Sequence, residues 1–210
     1  MHPYSTNSEE RTTLPFVLAV ISIGLAWLLS SIIGKAHLPF WLEVPGTFTL
    51  YSILLWAFRS YWWKWRWLHR VGIIKVPDIS GDWSGYVTSS FDRLAQHHPV
   101  QVRIRQNWTH LMVQLSADQS WSDSIVASIA VGEETVVSYQ YTNRPKPGAK
   151  DTMHAHMGTA SLKLSDDHSE LSGEYYSGRD RANQGITVLT NNRDYAGLAI
   201  IAMRDGRNGP

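Results

Sequence analysis

The sequence predicts a membrane-anchored all-β protein: a two-helix transmembrane hairpin, then an up-and-down antiparallel β-barrel of eight strands, or nine if a C-terminal segment also pairs. Three observations predict it. Residues 14–33 carry no charged side chain. Residues 61–70, Tyr-Trp-Trp-Lys-Trp-Arg-Trp-Leu-His-Arg, interleave indoles with cations, as a helix leaving a bilayer does at the headgroup level. Beyond Pro77 the apolar residues recur with period two, in short runs separated by turn residues.

Residues 1–13 are polar and read as a cytoplasmic tail. From Leu14 to Ile33 the chain supplies 20 uncharged residues, enough at about 1.5 Å each to cross a hydrocarbon core of roughly 30 Å. Thr13 can cap this helix, and Pro15 falls in its first turn, where a missing N–H is harmless. A cleaved signal peptide fits poorly, because the apolar run is too long, its flank is not basic and no small-x-small site follows. The connection Gly34–Pro39 is tight. A second apolar segment, Val44–Phe58, is marginal for a span at 15 residues, but Arg59 can snorkel and Tyr61, Trp62 and Trp63 extend its apolar face. The transmembrane region is thus 14–63, with a basic aromatic linker over 64–76 and the barrel over 77–210. Five Lys/Arg and no acid lie between Arg59 and Lys75, so the positive-inside rule puts both ends in the cytoplasm.

Period-two alternation places candidate strands at Trp83–Ser89, Val100–Gln106, His110–Ala117, Ser124–Val131, Thr135–Thr142, Met153–Leu164, Glu170–Ser177 and Gly185–Asn191. Leu198–Met203 is the ninth candidate. Alternation is plainest at Val100, Val102 and Ile104 against Gln101, Arg103 and Arg105.

Composition narrows the function. Seven of the ten tryptophans precede residue 70, in the membrane-facing third. From Pro77 onward, 12 Lys/Arg face 15 Asp/Glu, a net charge of about −3 that argues against DNA or RNA as a partner. With no cysteine, disulfides, thiolate metal sites and a Cys nucleophile are excluded. The phosphate loop, the His-Glu-x-x-His helix and the Gly-x-Ser-x-Gly elbow are also missing. His154 and His156, at i and i+2, could share a metal but have no specific third ligand nearby. The reading is therefore no catalytic residue, no metal and no cofactor.

Gly81, Trp83 and Gly85 mark where the chain enters the barrel: in small closed barrels an early Trp plugs one end while glycines let the strand coil. The other end stays open, and the candidate ligand-binding residues are at strand ends facing it. These are Tyr175, Arg179 and Arg181 on one strand end, and Tyr139, Tyr141, Asn143 and Arg144 on another. Aromatic faces stack bases, and guanidinium groups bind phosphates. Ordinary hairpin decoration is the competing reading for any one of them.

The two N-terminal helices, the aromatic-basic junction, the Pro77-Asp78-Ile79-Ser80-Gly81-Asp82-Trp83-Ser84-Gly85 run, and the late Leu171-x-Gly173-x-Tyr175-Tyr176-x-Gly178-Arg179 run resemble the membrane effectors of bacterial CBASS antiphage defence. These are the two-transmembrane, β-strand-rich effectors also called CD-NTase-associated protein fifteen. The resemblance runs from about Leu14 to about Leu189; Asn191–Pro210 has no match. It implies a β-barrel that binds a cyclic dinucleotide made by a partner nucleotidyltransferase. It also implies a multi-pass protein of the bacterial inner membrane that forms a homo-oligomer on activation and disrupts the bilayer without enzymatic activity. Two other classes stay open at this point: a small membrane-anchored hydrolase using His154 and His156, and a scaffold whose barrel holds a protein partner.

Overall fold

The computed structural model of the chain describes residues 1–33, 40–178 and 181–191. It divides into two compact units. One is a β-barrel formed by residues 1–7 and those from Asp78 onward; the other is helical and spans Ser8–Pro77.

The barrel strands are β1 (His2–Thr6), β2 (Gly81–Val87), β3 (His98–Gln106), β4 (His110–Ala117), β5 (Ser120–Ala130), β6 (Thr135–Pro145), β7 (His156–Leu164), β8 (Glu170–Ser177) and β9 (Gln184–Asn191). From β2 to β9 each strand pairs antiparallel with the next, and β9 returns to β2, which closes the barrel. The expected meander is therefore present, and the alternation sets its inner face. Val100, Val102 and Ile104 are buried, while Arg103 on the outer face pairs with Asp82 at 2.6 Å.

One strand comes from a segment in which the pattern showed none. Leu198–Met203 lies outside the described residues, and the segment read as a polar tail supplies β1. Strands β4 and β5 pair only near one end, from Gln114↔Asp123 to Ser116↔Trp121, and then diverge. Into the gap goes β1, antiparallel to β4 at His2↔Leu111 and parallel to β5 from Tyr4↔Ala127 to Thr6↔Ile129. At the fork, the Ser124 hydroxyl accepts from the Val113 N–H at 2.9 Å and lies 2.8 Å from the His2 ring. The β5 register also shifts there, between Ser124 and Val126. Tyr4 fills the core, its hydroxyl donating to the Trp108 carbonyl at 3.2 Å and accepting from Gln106 at 3.4 Å.

One end of the barrel is solid. Trp83 is 1% exposed, its indole N–H donates to the Ile79 carbonyl at 3.1 Å, and around it Leu111, Ile129, Leu162, Leu171 and Leu189 are fully buried. Gly85 permits closure: a Cβ there would lie 1.9 Å from the Val188 carbonyl oxygen on β9. The chain leaves the barrel at Asn7 and rejoins it at Asp78. Both connections are at the solid end, Asn7 bonded to Val131 and Asp78 just before Gly81 of β2.

The helical unit contains α1 (Glu10–Ile33), α2 (Phe40–Ser60) and the short α3 (Arg66–Arg70). The stretch Glu10–Ser31 of α1 is long and apolar enough to cross a membrane. It starts earlier than the charge-free run because Glu10 is not solvated: its carboxylate is 7% exposed and accepts the Lys75 main-chain N–H at 2.6 Å. Outward-facing Phe16 and Trp27 on α1 and Phe48 and Trp56 on α2 are all exposed. Trp63 is fully buried and its main-chain carbonyl lies 3.0 Å from the His69 ring, whereas Trp65 and Trp67 are exposed beside the cations of the linker.

Because Tyr4 joins β1 to the core, Tyr4→Ala in the full chain should destabilise the barrel by about 3 kcal/mol, as loss of a buried aromatic does. Chemical denaturation followed by tryptophan fluorescence measures this, and amide exchange in β4 and β5 should accelerate. A variant as stable as the parent would show that β1 is not part of the folded barrel.

Candidate functional site

Opposite the solid end the barrel opens into a cavity of about 430 Å³, within the range of roughly 300–1,000 Å³ usual for small-molecule sites. Cross-strand rows explain its shape. One inward row reads Ala127, Tyr139, Ala160, Tyr175, Gly185 across five neighbouring strands. The next, nearer the mouth, reads Ser124, Tyr141, Gly158, Ser177. Each large ring thus stands beside a small neighbour. A Cβ on Gly158 would lie 2.3 Å from the Tyr141 hydroxyl, and one on Gly185 would lie 2.8 Å from the Tyr175 ring. The glycines make room for the tyrosines.

The rings form the floor and walls. Tyr139 and Tyr141 are buried with centroids 6.2 Å apart. Tyr175 donates its hydroxyl to the Thr88 carbonyl at 3.0 Å, which fixes it against the loop following β2. Burial pushes the phenols of Tyr139, Tyr141 and Tyr175 up, so all three are neutral at pH 7. Asn143, also buried, accepts from the Ser122 hydroxyl at 2.8 Å.

Charge is supplied at the mouth. Arg181 follows the turn closed by the Arg181 N–H to Gly178 carbonyl bond at 3.0 Å, and its guanidinium lies 2.8 Å from the Met153 sulfur. Its positive charge acts on Tyr141, Tyr175 and His156 together, so these four side chains converge. Lys150 and His98 also line the opening, with His98 held 2.7 Å from Asp92, and Asp118 adds a carboxylate against the two cations Lys150 and Arg181. Phe91 borders the cavity while remaining 68% exposed, a free aromatic face at the rim. A neutral aromatic interior under a cationic rim suits a ligand with flat heteroaromatic groups and anionic oxygens.

A family model described as Cap15, cyclic dinucleotide receptor domain, matches residues 74–191, which is more than half of the chain. The chain belongs to the Cap15 family. It is 29% identical over 121 residues to CD-NTase-associated protein 15 of Yersinia aleksiciae, an alignment covering 55% of each protein. Over 171 residues it is 25% identical to CD-NTase-associated protein 15 of Staphylococcus schleiferi, covering 80% of this chain and 86% of that one. The chain therefore spans about half the length of the first relative and most of the second.

In this Cap15 chain Tyr139, Tyr141, Tyr175 and Arg181 come together at the cavity. Arg144 does not join them. It follows inward-facing Asn143 on β6, so its side chain is on the outer face, 64% exposed and ion-paired with Asp123. Arg179 lies outside the described residues. Gly81, Trp83 and Gly85 belong to the solid end. His154 and His156 do not form a pair on one strand face, because β7 begins at His156; the His156 Nδ1 lies 2.9 Å from the His154 main-chain oxygen. Among the described residues no three His, Asp or Glu side chains are gathered as metal ligands. Asn143, named in the sequence beside Tyr139 and Tyr141, also lines the cavity, whereas sequence reasoning overlooked His156, Phe91 and Met153 as cavity residues. His156 was legible as the residue directly opposite Asn143, where β7 runs beside the end of β6 that carries the tyrosines.

Burial lowers the His156 pKa below the ordinary 6.5, against the raising effect of its bond to the His154 carbonyl, and Arg181 lowers it further. The unfolded chain therefore takes up this proton before the folded chain does. The contribution of His156 to stability is intact above about pH 6.5 and is lost as the pH falls below it. His156→Gln should make the melting temperature of the Cap15 chain fall less steeply between about pH 7 and pH 5. An unchanged slope would place His156 in solvent, away from the cavity wall.

Proposed function

We propose that this chain is a non-enzymatic, ligand-gated effector of CBASS antiphage defence, whose barrel mouth binds a cyclic dinucleotide produced by a partner nucleotidyltransferase. The observation that carries this reading is the convergence of three neutral tyrosines and Arg181 on one open cavity, in a chain of a cyclic dinucleotide receptor family. Tyr175 and Phe91 offer faces for base stacking, while Arg181 provides a phosphate contact, with Arg179 two residues away in the chain as a second cation. Both CD-NTase-associated relatives are named for the nucleotidyltransferase they accompany, which supports the same partner here.

In this proposal residues 14–63 cross the bacterial inner membrane twice, the linker 64–76 rests at the headgroups, and the barrel faces the cytoplasm. Ligand binding clusters the barrels, which raises the local concentration of the membrane helices until their weak contacts become effective. Gly24 is exposed on α1 with open space beside it, where a neighbouring helix can approach closely. Damage to the bilayer then follows from association, with no bond made or broken.

Isothermal calorimetry of the full chain in lipid nanodiscs tests the binding step. The wild type should bind a cyclic dinucleotide with micromolar or better affinity, and Arg181→Ala should weaken it by about 2 kcal/mol with the melting temperature kept. No heat from a folded chain with any cyclic di- or trinucleotide would refute the proposal. The absence of cysteine makes the topology testable by single substitutions. In spheroplasts, a membrane-impermeant maleimide should label Ala36→Cys and leave Asp166→Cys untouched. Labelling of the second from outside would reverse the orientation.

A further inference from the structure

The fold uses some of its interior phenols and leaves others idle. Tyr4 and Tyr175 donate to main-chain carbonyls, of Trp108 and Thr88. Tyr139 and Tyr141, although only 6% and 8% exposed, make no hydrogen bond through their hydroxyls to any described residue. Neither hydroxyl is shut off within the protein, so each stays open to the cavity and free to bond what enters it. Here both rings line the cavity on one strand, two residues apart and on the same face, held side by side by Ala160 and Gly158 on β7. The Asn143 amide lies next on that face. Its oxygen takes the Ser122 hydroxyl, while its N–H has only the Met153 sulfur at 3.8 Å, a weak acceptor. The inner face of β6 therefore presents a row of donors to the cavity.

We propose that Tyr139 and Tyr141 read the base of the ligand, donating their two O–H groups to the adjacent O6 and N7 acceptors of a guanine. The inference rests on the receptor function proposed above and specifies its ligand. A phenol oxygen conjugates one lone pair into its ring, so it donates better than it accepts, and burial keeps both groups protonated. Guanine offers two neighbouring acceptors on its Hoogsteen edge, whereas adenine offers one acceptor and an amino donor. Against adenine, one phenol would have to turn and accept from the amino group, as the Tyr4 hydroxyl accepts from Gln106, and a bond accepted by the ring-conjugated oxygen is weaker than the donated bond it replaces. Thr187, also at the cavity, can rotate its hydroxyl to suit either base and does not discriminate. The phosphates remain at the rim beside Arg181, so base and phosphate recognition are divided between the floor and the mouth.

The test is calorimetry of the full chain in nanodiscs with cyclic di-GMP, cyclic di-AMP and cyclic GMP–AMP in each phosphodiester isomer. The wild type should bind at least one guanine-bearing ligand at least about tenfold more tightly than cyclic di-AMP. Tyr139→Phe and Tyr141→Phe should each weaken that ligand about tenfold and change cyclic di-AMP by less than about twofold. The melting temperature without ligand should not fall, because phenylalanine keeps the ring and removes only a hydroxyl that the fold does not use. Preference of the wild type for cyclic di-AMP, or Phe variants that bind the guanine ligand as the wild type does, would overturn the inference while leaving the receptor function standing. A wild type that binds none of these ligands would overturn the receptor function and the inference together.

Discussion

A closed barrel of about eight strands encloses little more than the volume of its own side chains, so it can hold a ligand only where side chains are withheld. That constraint organises this molecule. At one end Trp83 and a set of leucines and isoleucines occupy all the space, and the strands are welded around them. At the other end each of Tyr139, Tyr141 and Tyr175 is flanked by glycine, alanine or serine, and a cavity opens. Gly185 shows how tight the arrangement is: a Cβ there would meet the Thr88 carbonyl at 1.8 Å as well as the Tyr175 ring. The same glycines that weaken β-propensity along β7 and β9 are what allow three tyrosines to share one mouth.

The eight-strand meander was legible because each strand is half buried, which writes a period of two into the chain, and because hairpin connections keep partners adjacent in sequence. Of its strands, β4 and β8 kept the boundaries that alternation suggested; β5 and β7 shifted by several residues at one end. Strand β1 left no such trace. Five residues, His-Pro-Tyr-Ser-Thr, contain one apolar ring and no alternation, and their partners on β4 and β5 are more than 100 residues away. Only the diverging pair β4 and β5 creates a slot for them, and no local pattern announces that divergence. Its consequence is that the barrel chain is split, with Ser8–Pro77 falling in sequence between β1 and β2.

The site was legible in type and less so in membership. Aromatics followed by arginines at strand ends pointed to the mouth, and Tyr139, Tyr141, Tyr175 and Arg181 are found there. Arg144 shows the limit of reading by proximity, since a single step along a strand reverses the face and delivers the guanidinium to Asp123 on the outer wall. Of the two neighbours Asn143 and Arg144, alternation along β6 selects Asn143 for the inner face. Met153 and Phe91 had no equivalent signal, because each reaches the cavity from a loop whose path no periodicity describes.

Together these features make a small receptor barrel with a neutral tyrosine floor and a rim arginine at its open mouth, and Trp83 plugging the other end. The central claim is that the ligand enters this mouth. The structure of the full chain with its cyclic dinucleotide bound, determined in nanodiscs, tests it most directly. The account predicts ligand density inside the ring formed by Tyr139, Tyr141 and Tyr175, with a phosphate beside Arg181. Density on the outer wall of the barrel, with the cavity empty, would contradict it.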